Sequence, residues 1–190
     1  MSEMGYPAQY NGEFFDSQTE AAWAAYFDAA GIEWEREPET FELAPGFVYT
    51  PDFYVGQWDS YMEVKNGNAS LDTCKKLQIL SGKLGRASIL ANGKPHNLSL
   101  YIYGPESIHN EVRPDVYVFG EDFTITGQKL FKPADLRDRS PALRHFWGLW
   151  NQSREGWTTD IDPDVRQKSK DRKHELSNDP TTLYDTPSKS

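Results

Sequence analysis

The period of apolar and polar positions changes several times along the chain, and each change predicts an element. Ser17-Gln18-Thr19-Glu20 has serine at a helix N-cap and glutamate three residues on, a capping-box pattern. It opens a predicted helix over 19–30, with Trp23, Ala24, Phe27 and Ala30 at helical spacing as the buried stripe and Gly31 as the stop. Ile32-Glu33-Trp34-Glu35 alternates like a strand with one wet face. Phe41-Glu42-Leu43, Phe47-Val48-Tyr49 and Phe53-Tyr54-Val55 continue as strands, with Pro45-Gly46 as a turn. Gly56–Asp59 reads as a hairpin loop, and Tyr61-Met62-Glu63-Val64-Lys65 as the returning strand. Ser70 caps a second predicted helix running to about Leu84, with Leu71, Cys74, Leu77, Ser81 and Leu84 on one face and Gly85 at its end. Ala87–Ala91 and Leu98–Tyr103 read as strands, Val116–Phe119 with Phe123–Thr126 as a hairpin, and Ala142–Trp150 as an aromatic helix.

This order predicts an α/β fold, a mixed sheet flanked by helices in the order αβββαβ. Residues 1–12 are expected to be a loose leader, 13–157 the folded domain with a C-terminal extension, and 158–190 a disordered tail, since the tail has little apolar surface to bury. Trp147, Trp150 and Phe146 are expected to pack on the sheet rather than to stack on bases.

Composition narrows the classes. The chain has 37% hydrophobic residues and no run of 18 apolar residues, so no membrane span is expected. The first residues carry no signal-peptide pattern, and the single cysteine, Cys74, supports neither an internal disulfide nor a cysteine-rich zinc site. A cytoplasmic location is the expectation. His96, His109, His145 and His174 are scattered without ligand spacing. The net charge of −9 is unevenly spread: residues 1–60 hold twelve acids and one base, Arg36, while residues 61–110 hold three acids and six bases. Such an acidic third reads as a solvated face or as a surface for a protein partner.

Two acids and a lysine carry the chemistry. If Gly56–Asp59 is the loop and Val55 faces Ser60, antiparallel register sets Asp52 opposite Glu63. Carboxylates so placed have Cβ atoms about 5 Å apart and repel. Alternation puts Lys65 on the same face as Glu63 and sends Met62 and Val64 into the core. Two carboxylates and water are the oxygen ligands that Mg²⁺ or Mn²⁺ takes. Glu20, on the face of Trp23, Ala24 and Phe27, points toward the sheet; it either completes the capping box or joins the acids, and the two roles are compatible.

Pro51-Asp52 followed after ten residues by Glu63-Val64-Lys65 resembles the signature of the PD-(D/E)XK nuclease superfamily, the restriction-endonuclease-like fold. The wider set, Ser17–Glu20, Gly31-Ile32-Glu33-Trp34 through Glu37-Pro38, Tyr49-Thr50-Pro51-Asp52-Phe53 and Glu63–Lys65, resembles small phage and bacterial nucleases over roughly residues 10–105. The chain departs from them at Asp16 and Gln18, where such relatives tend to carry arginines, and Gly82 after Gln78 removes the Gln-x-x-x-Tyr motif of RecB-type exonucleases.

The resemblance implies a restriction-endonuclease-like core and a metal-dependent deoxyribonuclease in phage or bacterial DNA processing or defence. Asp52, Glu63 and the Val64 carbonyl would hold Mg²⁺ or Mn²⁺, Lys65 would orient or deprotonate the attacking water, and Glu20 would act through a metal-bound water. Lys75 and Gln78 would contact the DNA strand, unless they are a solvated helix face. DNA is the expected partner, with a protein partner or a homodimer as further options. The alternative is an acidic DNA mimic or regulatory binding protein on the same fold, without catalysis.

Overall fold

The computed structural model of the protein describes residues 6–67, 69–94, 99–103, 118–119, 125–126 and 156–184. Its centre is a five-stranded mixed sheet in the order β3-β6-β7-β8-β9, formed by Trp34–Arg36, Phe53–Val55, Ser60–Lys65, Ser88–Asn92 and Ser99–Tyr103. Only β7 and β8 run parallel. A parallel pair needs a crossover, and helix α2, Leu71–Leu84, supplies it.

Alternation along these strands builds a core on each face. Phe53, Val55, Met62, Val64, Ile89 and Ala91 meet helix α1, Gln18–Ala30, through Trp23, Tyr26 and Phe27. Burying a side chain of this size contributes about 1.5–3 kcal/mol. Tyr61 and Leu90 point the other way. They meet Leu77 and Leu80 of α2, and Phe41, Leu43 and Tyr49 of the hairpin β4–β5, Phe41–Ala44 and Phe47–Tyr49.

Helix boundaries follow local chemistry. Ser17 caps α1 by accepting the Glu20 N–H at 3.1 Å, and Gly31 closes it in the left-handed region at φ +68°. Ser70 caps α2 through the Thr73 N–H, and Gly85 closes it. The predicted stripe of α2 needs one correction: Leu71 is exposed, and Leu80 takes its place in the core. In α1 the stripe is too narrow, because every residue from Thr19 to Phe27 is buried.

The reason lies in the expected leader, whose described residues, 6–12, are not loose. Strands β1 (Ala8–Tyr10) and β2 (Glu13–Phe15) form a sheet with β12 (Trp157–Thr158), and this sheet covers the back of α1. A helix enclosed on all sides buries its whole circumference.

The expected disordered tail is also overturned over its described residues, 158–184. Pro163–Asn178 is a helix, here α3, capped by Asp162 and carrying proline at its first turn. Thr181–Thr182, β13, then pairs in parallel with β4. The tail's helix packs through ion pairs and hydrogen bonds, and only Leu183 beyond it joins a hydrophobic cluster among the described residues, so hydrophobic patterning does not reveal it. Phe146, Trp147, Trp150, His96, His109 and His145 lie outside the described residues; of the expected later hairpin, Val118–Phe119 and Ile125–Thr126 pair as β10 and β11. Among the described residues no helix is long and apolar enough to cross a membrane.

Candidate functional site

The hairpin register fixes the site. Val55 faces Ser60, Tyr54 faces Tyr61 and Phe53 faces Met62, so Asp52, one residue before β6, lies alongside Glu63 as the sequence predicts. Its carboxylate oxygen Oδ2 accepts the Val64 N–H at 2.7 Å. Lys65, the last residue of β7, places its Nζ 2.5 Å from Glu63 Oε1. Met62 and Val64 are in the core.

The backbone around Val64 has one further property. Lys65 uses its carbonyl toward β8, accepting the Gly93 N–H at 2.7 Å. The Val64 backbone faces the β6 side instead, where its N–H is taken by Asp52.

Helix α1 closes the site from the other side of the sheet. Trp23 donates from its indole to the Gly93 carbonyl at 3.0 Å, and Gly93 is the residue that binds Lys65. One turn earlier Glu20 is 9% exposed and accepts the Ser17 hydroxyl at 2.7 Å. Glu20 thus completes the cap, and its charge is felt at Asp52 and Lys65. Burial raises its carboxyl to about pKa 7; the Ser17 hydrogen bond opposes this, the Asp16 charge adds to it, and Arg36 and Lys65 oppose it. Burial, then the charges of Glu63 and Glu20, hold Asp52 well above the ordinary carboxylate range, against the pull of Lys65 and the Val64 N–H. For Lys65 burial acts downward, but Asp52 and Glu63 outweigh it and raise the amine. Three carboxyl groups thus share one ammonium.

Sequence reasoning did not single out Tyr49. Its hydroxyl donates to Glu63 Oε2 at 2.8 Å, so Lys65 and Tyr49 together fix both oxygens of Glu63. The alternation of β5 marks Tyr49 as inward, but nothing local says that the β4–β5 hairpin folds over β7. Lys76 pairs with Asp72 at 2.8 Å and lies over the rings of Phe47 and Tyr49. Lys75 is exposed and Gln78 half-buried on α2.

Asp52 and Glu63 offer a divalent cation suitable chemistry, two carboxylates each with lone pairs left beyond the bonds they accept. The expected third acid does not complete a cluster. Among the described residues no three His, Cys, Asp or Glu side chains converge closely enough to hold a metal, so Glu20 stands apart from the Asp52–Glu63 pair.

The Glu20 shift predicts a pH effect. Its folded pKa lies above the unfolded value, so the folded state holds the extra proton between about pH 4.5 and about pH 7. Stability of the metal-free protein therefore falls as pH rises through that window. Glu20→Gln keeps an acceptor for Ser17 and should flatten the fall, gaining on the order of 1–3 kcal/mol at neutral pH. Melting curves across the window check this; identical slopes in parent and variant refute it.

No protein-family model matches the sequence, and no curated protein or solved structure matches it.

Proposed function

We propose that the protein is a nuclease that hydrolyses DNA phosphodiesters with Mg²⁺ or Mn²⁺, on a restriction-endonuclease-like core. One observation carries the reading. The bond from Val64 N–H to Asp52 holds that carboxylate against Glu63-Val64-Lys65, so both acids and the amine meet at the end of β7. Open crevices at strand carboxyl ends are where α/β sheets bind ligands. The ordered motif set supports the setting, processing of phage or bacterial DNA or defence.

Asp52, Glu63 and the Val64 carbonyl would hold the cation. When bound, it supplies positive charge to the scissile phosphate and lowers the pKa of water. Lys65 ends the strand with its amine half-exposed, and it can orient the nucleophile and hold charge that develops on the phosphate. Tyr49 keeps Glu63 in one rotamer through its hydroxyl. Glu20, raised to about 7, can take up or release a proton near neutrality.

The test is incubation of the protein with circular single-stranded, circular duplex and branched DNA, in Mg²⁺, Mn²⁺ or EDTA. Cleavage should require the metal. Lys65→Ala should lower it by roughly 10²–10⁴-fold, the range for a positioned acid–base group. The same variant should keep a metal-induced rise in melting temperature, because the amine serves the nucleophile and not the cation. Cleavage by the variant at the parental rate would remove Lys65 from the mechanism. Absence of metal-dependent cleavage of every substrate would leave the acidic mimic as the better reading.

A further inference from the structure

We infer that the groove between α3 and the β1–β2 hairpin binds a phosphate of the DNA strand beside the acidic site; this rests on the nuclease reading above. The groove has a volume of about 250 Å³ and is lined by Pro7, Phe14, Asp16, Arg166, Ser169, Lys170 and Lys173. Three of these seven are cations, in a protein whose first 60 residues carry twelve acids and one base. Arg166, Lys170 and Lys173 recur at helical spacing, so one face of α3 presents all three.

The cations are not equally committed. Lys173 is consumed by Asp16, with which it is in close ion-pair contact, and by Glu37, 3.2 Å away. The Arg166 guanidinium lies 5.5 Å from the centre of the Phe14 ring, a stacking that leaves its N–H edge free for an oxyanion. Lys170 is exposed and has no counter-ion among the described residues. Two cations with no carboxylate partner thus border a groove whose single carboxylate, Asp16, is already neutralised.

Behind the groove is a buried arginine. Arg36 is 5% exposed, and it donates from Nη1 to Ser169 Oγ, a lining residue, at 3.3 Å. Its Nη2 lies 3.3 Å from Glu37 Oε1 and 4.0 Å from Asp16 Oδ2, yet Nε and Nη2 have no hydrogen-bond partner. Glu37 Oε2 is likewise without one, so Glu37 offsets part of this charge.

The position connects the groove to the chemistry. Asp16 is one residue before Ser17, whose hydroxyl binds Glu20, and the Glu37 N–H donates to the Asp52 carbonyl at 2.9 Å. Asp16 stands beside this serine, and α3 brings cations to it from about 150 residues away in the chain. An acidic face alone repels a strand, so local cations are needed to hold its backbone.

The experiment is a salt titration of duplex DNA binding by fluorescence anisotropy, in EDTA so that no cleavage occurs. Full-length parent, Arg166→Ala, Lys170→Ala and Lys168→Ala are compared between about 50 and 200 mM salt. Lys168 is on the same helix but outside the groove, and its loss removes the same charge. Arg166→Ala and Lys170→Ala should each lower the slope of log affinity against log salt by about 1, equally for unrelated sequences. Lys168→Ala should leave the slope at the parental value. Lys170 has no partner to lose, so its variant stays interpretable if Arg166→Ala melts lower. An equal drop for all three variants, an unchanged slope for the groove variants, or a parent that binds no DNA would each overturn the proposal. A parent that shows the groove effect yet cleaves nothing with any metal overturns the nuclease reading and leaves the groove standing. A parent that cleaves while the groove variants keep its slope overturns the groove alone.

Discussion

Truncation after Trp157 is expected to destabilise the protein severely. The cut removes α3 and β13, and with them the partners of a buried charge cluster. Arg36 would lose Ser169, and Glu37 would lose Lys173. Arg172 donates from Nη2 to the carbonyls of Arg36, at 2.9 Å, and of Glu37, at 3.3 Å, and these bonds go too. Glu37 sits at φ +41°, a left-handed conformation that costs a non-glycine residue on the order of 1 kcal/mol and needs its surroundings to hold it. Stripping partners from a buried ion pair costs about 3–5 kcal/mol. At about 2–4 °C per kcal/mol for a chain of this size, the melting temperature should fall on the order of 10 °C or more. β4 would also lose β13 and expose an unpaired edge. A scan of the truncated protein beside the full chain decides it; coincident transitions would mean that α3 contributes nothing to the fold.

The same cluster shows what the sequence could and could not disclose. Both ends of α1 and α2 were legible because caps are local: Ser17 with Glu20, Ser70 with Thr73, and Gly31 and Gly85 in the left-handed region. The pairing of Val55 with Ser60 was legible from the loop, and it carried Asp52 to Glu63 without further information. What stayed hidden depends on partners far along the chain. Ser169 is the only buried residue of α3 among those described, so no apolar stripe marks the helix. Its start was nonetheless written in Asp162-Pro163, an N-cap followed by proline at the first turn. The partners of Tyr49 and Arg36, Glu63 in β7 and Ser169 in α3, are set by packing between sheets and by the tail.

Replacing Asp52 by asparagine should raise stability without metal and abolish both metal-induced stabilisation and cleavage. Asparagine keeps an acceptor for the Val64 N–H, the one hydrogen bond that the Asp52 side chain accepts among those described, so the hairpin loses no contact. It removes a carboxylate that Glu63 and Glu20 both repel, while Lys65 is already engaged with Glu63 at 2.5 Å. Relief of one cross-strand like-charge pair is worth roughly 0.5–1 kcal/mol. The sign with pH follows from the raised Asp52 carboxyl. The parent loses stability as pH rises from the unfolded carboxyl pKa toward the higher folded one, and the variant has no such loss, so its advantage grows with pH. Melts in EDTA at about pH 5 and about pH 8 should show the gap widening. In Mn²⁺ the order inverts. The parent gains stability with the logarithm of free metal, about 2.7 kcal/mol at a hundred times the dissociation constant, and the variant gains none. An acid with a purely structural role behaves in the opposite way: its loss lowers the melting temperature in EDTA and leaves the metal series flat in both proteins. That result would take the cation out of the Asp52–Glu63 pair, and with it the hydrolytic reading.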